Sequence, residues 1–222
     1  MELDQICRAG KDTEKDFDVL VYDLRNHGLS DSGKISYEHY VSDISDIIKK
    51  ENINDIILMG NCYGSNIALL VNERVSNRVK EMVLISLYTP NLMKFKTIMV
   101  FLGLLGMKRF KNKNRKKRYQ DLTKHKKISD LVYPFLSLKN TNVSTYLRSI
   151  WECYKNPFEI KINKPTLVIS SEEDFVVSVP KLEKFFSENE KVTFKIIRET
   201  DHLDVFRKPE LFVKEIRNFL KY

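Results

Sequence analysis

The sequence is poor in several things at once. Seven glycines and six prolines in 222 residues are too few for a collagen-like repeat or a Pro/Gly-rich disordered chain, and 11% aromatic content argues against disorder more generally. Three cysteines, Cys7, Cys62 and Cys153, cannot all pair and form no Cys-x-x-Cys. A disulfide scaffold and a four-cysteine zinc site are thereby disfavoured, and a reducing, cytoplasmic compartment is expected. Long apolar runs are missing too. The most apolar window, residues 98–107, is broken by Gly103 and Gly106 and is about half the roughly 18 to 20 residues that a membrane-spanning helix needs. Residues 1–8 carry acids and no apolar core, so no secretory leader is expected.

What the chain has in excess is positive charge: 38 Lys and Arg against 30 Asp and Glu, a net +8. The excess is local. Residues 91–128 hold thirteen basic side chains against Asp121 alone, a surplus of twelve that leaves the remainder at −4. The charge therefore says little about the scaffold and poses a narrower question about what one segment touches.

The length suits one domain with room for an inserted lobe. Apolar runs alternate with amphipathic ones. Residues 18–22, 56–59, 82–85, 166–169 and 192–197 are short, β-branched and without polar alternation, as buried strands are. Between them, residues 37–50 place Tyr40, Val41, Ile44, Ile47 and Ile48 at helical spacing, with acids early and lysines last. Residues 65–75 and 211–220 are likewise helical, and 3–15 reads as a charged helix. Buried strands alternating with helices predict an α/β fold, a mostly parallel sheet covered on both faces. The roughly 75 residues between the third and fourth of these strands are too long for a simple crossover, so an inserted helical cap is expected over 88–164, splitting a core of 1–87 and 165–222. Trp151 and Cys153 are expected to pack within that cap, and Cys7 to be a bystander.

The strand ending near Met59 runs directly into Gly60-Asn61-Cys62-Tyr63-Gly64 and then a helix. A sharp strand-to-helix turn forces its central residue into strained backbone geometry, and glycines two before and two after relieve the crowding. The turn would lift the Cys62 sulfur above the carboxyl edge of the sheet, at the positive end of the following helix, with the Tyr63 N–H where an oxyanion would form. Downstream, Asp174 lies in a loop past one strand and His202 in a loop past the next. Singly, each has a plain alternative: a buried structural cysteine, a solvated loop acid, a capped loop histidine. Together they stand at three carboxyl ends of strands, where parallel sheets hold their sites, in the order nucleophile, acid, histidine.

On these residues the chain resembles the α/β-hydrolase fold superfamily along nearly its whole length. Residues 22–31, Tyr-Asp-Leu-Arg-Asn-His-Gly-Leu-Ser-Asp, resemble that family's strand-4 signature, with Asn26 in place of the first glycine of a Gly-His-Gly turn; His27 then belongs to a structural turn. The resemblance implies Cys62 as nucleophile, His202 as general base and then acid, Asp174 orienting the imidazole, Tyr63 supplying an oxyanion N–H, and Gly60 and Gly64 forming the elbow. It implies no cofactor and no metal. Ser65 lies three residues too late to be the nucleophile. Cysteine in place of serine is similar to dienelactone hydrolases and polyhydroxyalkanoate synthases, which implies hydrolysis of esters or thioesters through an acyl-thioester, with acyl transfer as the alternative.

One departure is larger. The family carries three strands and a His-Gly-type loop, the source of a second oxyanion N–H, ahead of this signature, whereas eighteen residues precede Val19. An N-terminally shortened hydrolase is expected, with a vacancy between the strands at Val19 and Ile56. Losing one oxyanion donor costs about 2.7 to 4 kcal/mol of transition-state stabilisation, so a catalytically impaired remnant is a further alternative.

The basic run 108–127, which opens at Lys108 and closes at Lys127, follows Phe95, Ile98, Met99, Phe101 and Leu102. It could be a solvated loop beside a cap helix, or could dock on an anionic membrane surface or a phosphate-bearing substrate. No nucleic-acid-binding motif accompanies the charge, so nucleic acid is the weakest of these partners.

Overall fold

The computed structural model describes residues 17–27, 30–89, 92 and 143–221. The expected helix at 3–15, most of the expected cap and the whole basic run 108–127 lie outside the described residues.

Four parallel strands form one sheet in the order β1-β2-β3-β4: β1 (Ile56–Asn61), β2 (Val79–Ile85), β3 (Thr166–Ser171) and β4 (Val192–Ile197). The registers run Leu58 to Met82, Leu84 to Val168 and Val168 to Phe194. Because every neighbouring pair is parallel, all four strands end at the same edge, where the loops after β1, β3 and β4 lie. The helices are α1 (Tyr37–Lys50), α2 (Tyr63–Val75), α3 (Val143–Lys155), α4 (Val179–Phe186), α5 (Asp204–Arg207) and α6 (Pro209–Leu220). Among the described residues no helix is long and apolar enough to cross a membrane.

Alternation along the strands builds two cores. Met82, Leu84 and Val168 face the layer of α1, α2 and α4, joining Tyr40, Val71, Leu182 and Phe186. Val83, Ile85, Leu167 and Ile169 point the other way, onto Phe212, Ile216 and Leu220 of α6. Both faces are covered, which is why β3 reads as an unbroken apolar run. Helix α1 begins where Ser36 caps it, its Oγ accepting the His39 N–H at 3.3 Å, and carries Lys49 and Lys50 in its last turn, where the dipole favours cations.

The strand expected at 18–22 is not one. Residues 18–24 have no regular secondary structure, and the sheet's described strands give them no ladder. Without a ladder the apolar side chains are only partly covered: Val19 and Leu20 are 44% and 55% exposed, while Tyr22 and Leu24 pack against the α1 side of the core. β1 forms an edge of the described sheet, with Met59 49% exposed. The turn that follows is as expected. Asn26 adopts φ 67°, its Nδ2 donates to the Gly33 carbonyl at 2.8 Å, and its Oδ1 accepts the Gly33 N–H at 3.2 Å. Asparagine is among the few residues that tolerate the left-handed region, so it can stand where glycine would. His27 belongs to this turn: its N–H donates to the Leu24 carbonyl at 2.8 Å and its Nδ1 lies 3.1 Å from the Arg25 carbonyl. Arg25 in turn pairs with Asp43 of α1, Nε to Oδ2 at 2.7 Å.

Trp151 and Cys153 also depart from expectation. On α3, Thr145, Ser149, Ile150 and Cys153 form the buried stripe at helical spacing, which leaves Trp151 on the other side and 60% exposed. Cys153 packs into the main core beside Tyr37 and Asn66 rather than within a separate lobe.

Candidate active site

Cys62 stands between β1 and α2 at φ 52°, ψ −117°. This is the left-handed side of backbone space, unusual for a side chain with a Cβ. The turn is fixed on both sides: the Cys62 N–H donates to the Ile85 carbonyl at 2.8 Å, and its carbonyl accepts the Ser65 N–H at 3.0 Å. Gly60 is required by contact, since a Cβ there would lie 2.4 Å from the Gly64 carbonyl oxygen and 2.6 Å from the Ser65 nitrogen. Ser65 is fully buried beneath the turn and shares its hydroxyl proton between the carbonyls of Gly60 (2.8 Å) and Ile85 (3.0 Å). It is a brace for the elbow. Tyr63 opens α2, so its N–H is one of those a helix leaves unsatisfied at its start. Its ring stacks on Tyr37 at 5.5 Å and meets Tyr40 edge-on at 6.1 Å.

Past β3, Asp174 is fully buried. Its Oδ1 accepts the N–H groups of Val176 and Val177, each at 2.8 Å, and its Oδ2 lies 2.9 Å from His202 Nδ1. Burial would raise its pKa, but the hydrogen bond and charge of His202, with the two amides, outweigh that and hold it below the ordinary carboxylate value. His202, past β4, is itself nearly buried, with the Phe175 ring edge-on at 5.6 Å. Burial would lower the imidazole pKa. The charge of Cys62, the hydrogen bond to Asp174 and the hydrogen bond to Cys62 more than reverse this and raise it to about 10. The structure thus brings Cys62, His202 and Asp174 together, with the ring joined to the carboxylate through Nδ1 and responding to the sulfur.

Cys153 lies in the α1–α2–α3 core. Its Sγ is 2.6 Å from Tyr37 Oη and accepts from Asn66 Nδ2 at 3.4 Å, and burial pushes the thiol up to about 12. It is an inert, packed thiol. Among the described residues no three His, Cys, Asp or Glu side chains converge as a metal site.

Sequence reasoning missed the surroundings of His202. Asp201 Oδ1 accepts the Leu203 N–H at 2.8 Å and pairs with Arg207 Nη2; Asp204, almost fully buried, accepts the Asp201 N–H at 2.8 Å. The spacing of Asp201 with Asp204 and Arg207, the last two at i,i+3 on the short α5, was the available signal.

Residues 11–206 match the family model described as serine aminopeptidase, S33. A Haemophilus influenzae protein named as a candidate esterase/lipase is 23% identical over 99% of this chain and 79% of its own length. A Mycoplasma pneumoniae protein, named as a second candidate esterase/lipase, is 26% identical over 93% of this chain and 80% of its own. Among solved structures, a marine microorganism esterase superposes with a TM-score of 0.76 at 17% identity, covering 97% of this chain and 90% of that one. An alpha/beta hydrolase enzyme from a Medee basin deep-sea metagenome library gives 0.75 at 18% identity, covering 100% and 86%. The folds coincide, and the chain has an α/β-hydrolase fold.

Proposed function

The chain belongs to the serine aminopeptidase S33 family, and on that premise we propose that it hydrolyses carboxylic esters or thioesters through Cys62, His202 and Asp174. The family's description names serine, and here cysteine occupies the elbow. The observation that carries the reading is the bond from His202 Nδ1 to the buried Asp174 at the ring's one side, with Cys62 acting on the same ring. The esterase/lipase names of the relatives support the substrate class.

In this mechanism the Cys62 thiolate attacks the acyl carbonyl and forms a C–S bond. The oxyanion develops toward the Tyr63 N–H and the positive end of α2. Collapse breaks the ester bond, and the leaving oxygen or sulfur takes the proton of the His202 imidazolium. Acylation also removes the Cys62 contribution to the raised His202 pKa, so the ring gives up its proton more readily than before. Neutral His202 can take a proton from water, whose hydroxide attacks the acyl-thioester, and the Cys62 thiolate and imidazolium are regenerated. Asp174 holds the ring in the tautomer that presents its other nitrogen to Cys62 throughout.

The test is turnover of a short-chain p-nitrophenyl ester and an acyl-CoA by wild type and Cys62→Ala, with mass spectrometry of the quenched protein. An acyl adduct on Cys62 and loss of turnover in Cys62→Ala are expected. Turnover that survives Cys62→Ala overturns the reading, as does a folded wild type inactive on both. Product partitioning to an added alcohol or thiol would move the assignment from hydrolysis to acyl transfer.

A further inference from the structure

We propose that Arg207 is a positioning residue for His202, acting by clamping two carboxylates that fix the backbone on either side of the histidine. The inference rests on the proposed role of His202 and extends it to a residue that never touches substrate.

His202 is held at its ring by Asp174, but a ring can be aimed only if its backbone is fixed. The residues flanking it have no regular structure to do this, since β4 ends at Ile197 and α5 begins at Asp204. Side chains supply the constraint. Before the histidine, the Asp201 N–H donates to Asp204 Oδ2 at 2.8 Å. After it, the Leu203 N–H donates to Asp201 Oδ1 at 2.8 Å. Both acceptors are carboxylates, and Arg207 joins them: Nη2 donates to Asp201 Oδ1, and Nε lies 2.8 Å from Asp204 Oδ1 as a charge contact without hydrogen-bond geometry. Lys208 adds its Nζ 3.6 Å from Asp204 Oδ2 and donates to the Glu199 carbonyl at 3.1 Å. The planar fork of arginine can hold two carboxylates in a fixed relation, which the single point charge of lysine cannot.

The clamped loop is also tied to the loop bearing Asp174. The Glu173 N–H donates to the Thr200 carbonyl at 2.9 Å, and the Glu199 N–H to Glu172 Oε2 at 3.0 Å. Asp174 is the next residue after Glu173, and His202 lies two beyond Thr200. Loosening the Arg207 clamp should therefore be felt as a longer or less populated His202–Asp174 bond.

The experiment compares wild type with Arg207→Met, Arg207→Lys and Asp201→Asn, the last keeping an acceptor for the Leu203 N–H while removing the charge that Arg207 grips. Esterase kcat and KM are measured beside the NMR titration of the His202 ring. We expect kcat to fall roughly 10- to 100-fold in Arg207→Met with KM changed less than about threefold, because misplacement by about 1 Å costs on this order. The His202 midpoint should fall by about one pH unit, a tenfold loss of proton affinity, as the Asp174 bond weakens. Arg207→Lys should recover stability more than kcat. Folded variants with kcat within twofold of wild type and an unmoved His202 titration would overturn the proposal. So would a kcat loss that follows melting temperature alone. If Arg207→Met fails to fold, Asp201→Asn carries the kcat arm of the test, compared with its melting temperature, and Arg207→Lys carries the titration, because the Asp201 charge acts on His202 directly. The titration needs no substrate, so it decides the positioning role even if the esterase reading fails.

Discussion

His202 Nδ1 lies 2.9 Å from Asp174 Oδ2 while the other oxygen of the same carboxylate is occupied by the amides of Val176 and Val177. The carboxylate is thus fixed by its own loop before it meets the ring. It cannot rotate to follow the imidazole, so the imidazole must come to it, and the ring's orientation is set from the Asp174 side. This divides the carboxylate's work into a structural half and a chemical half, and substitutions can separate them.

Asp174→Asn should retain an acceptor for the two valine amides and so fold, but its amide would face Nδ1 with the wrong hydrogen-bonding sense. The ring then takes the tautomer that carries its proton toward Cys62. The expected loss in kcat is on the order of 10³- to 10⁴-fold. Asp174→Ala should add a stability loss of about 1 to 3 kcal/mol from the orphaned amides. Urea unfolding of the two variants would separate these effects. The sign in pH follows from the depressed carboxyl: its stabilisation is present above the unfolded value, about 3.9, and is lost as pH falls through the lower folded value.

For His202 the sign is opposite. Its pKa is raised to about 10, so its contribution to stability is complete below the ordinary value near 6.5 and is lost as pH rises through about 10. The stability difference between wild type and His202→Gln should therefore shrink between pH 7 and pH 10. NMR of the ring should show it protonated at pH 8, and Asp174→Asn should lower its midpoint, because the hydrogen bond and charge of Asp174 are gone while burial remains. A ring that is neutral at pH 8 in the wild type would contradict its charged pairing with Asp174.

Much of this site was legible from the residues. Gly60, Cys62 and Gly64 mark the elbow because only one backbone geometry needs that spacing, and Asp174 and His202 fall at ends of strands whose unbroken apolar character already announced a parallel sheet. What misled was residues 18–22, which have strand composition but no ladder among the described strands; composition reports what a segment could pair with, not whether a partner is there. The Asp201–Asp204–Arg207 clamp was missed for a related reason. Two acids and an arginine on a polar loop read as solvated charge until the fold buries Asp204.

Gly60→Ala tests the elbow's packing. The added Cβ would meet backbone atoms of Gly64 and Ser65, which cannot move without breaking the turn, so a loss of about 1 to 3 kcal/mol or more is expected in urea unfolding. Gly33→Ala is the internal control. Its Cβ would lie 3.1 Å from Arg25 Nη1, the far end of a flexible side chain, and should be tolerated. Equal costs at the two positions would refute the account.

Asn26 offers a test of the turn that stands where glycine is usual. Asn26→Gly keeps the positive φ without strain but loses two side-chain bonds to Gly33, whereas Asn26→Leu loses the bonds and adds about 1 to 2 kcal/mol of left-handed strain. Leucine should therefore be the more destabilising of the two by thermal denaturation. The reverse order would show that the positive φ at this position does not carry the strain assigned to it.

The elbow holds two residues with oxygen or sulfur nucleophile chemistry, and their substitutions should behave oppositely. Ser65 is buried and its proton is engaged by the Gly60 and Ile85 carbonyls, so Ser65→Ala should cost about 1 kcal/mol of stability and leave kcat/KM within severalfold of wild type. Cys62→Ser should change the chemistry while sparing the fold. A hydroxyl is a far weaker acid than a thiol, so the Cys62 contribution to the raised His202 pKa is lost while that of Asp174 remains, and the pKa falls. The serine variant then needs a neutral imidazole as its base, and its kcat/KM should rise with pH through an acidic limb that wild type lacks at that position. A pH profile in Cys62→Ser that superposes on wild type would place the attacking group elsewhere in the molecule.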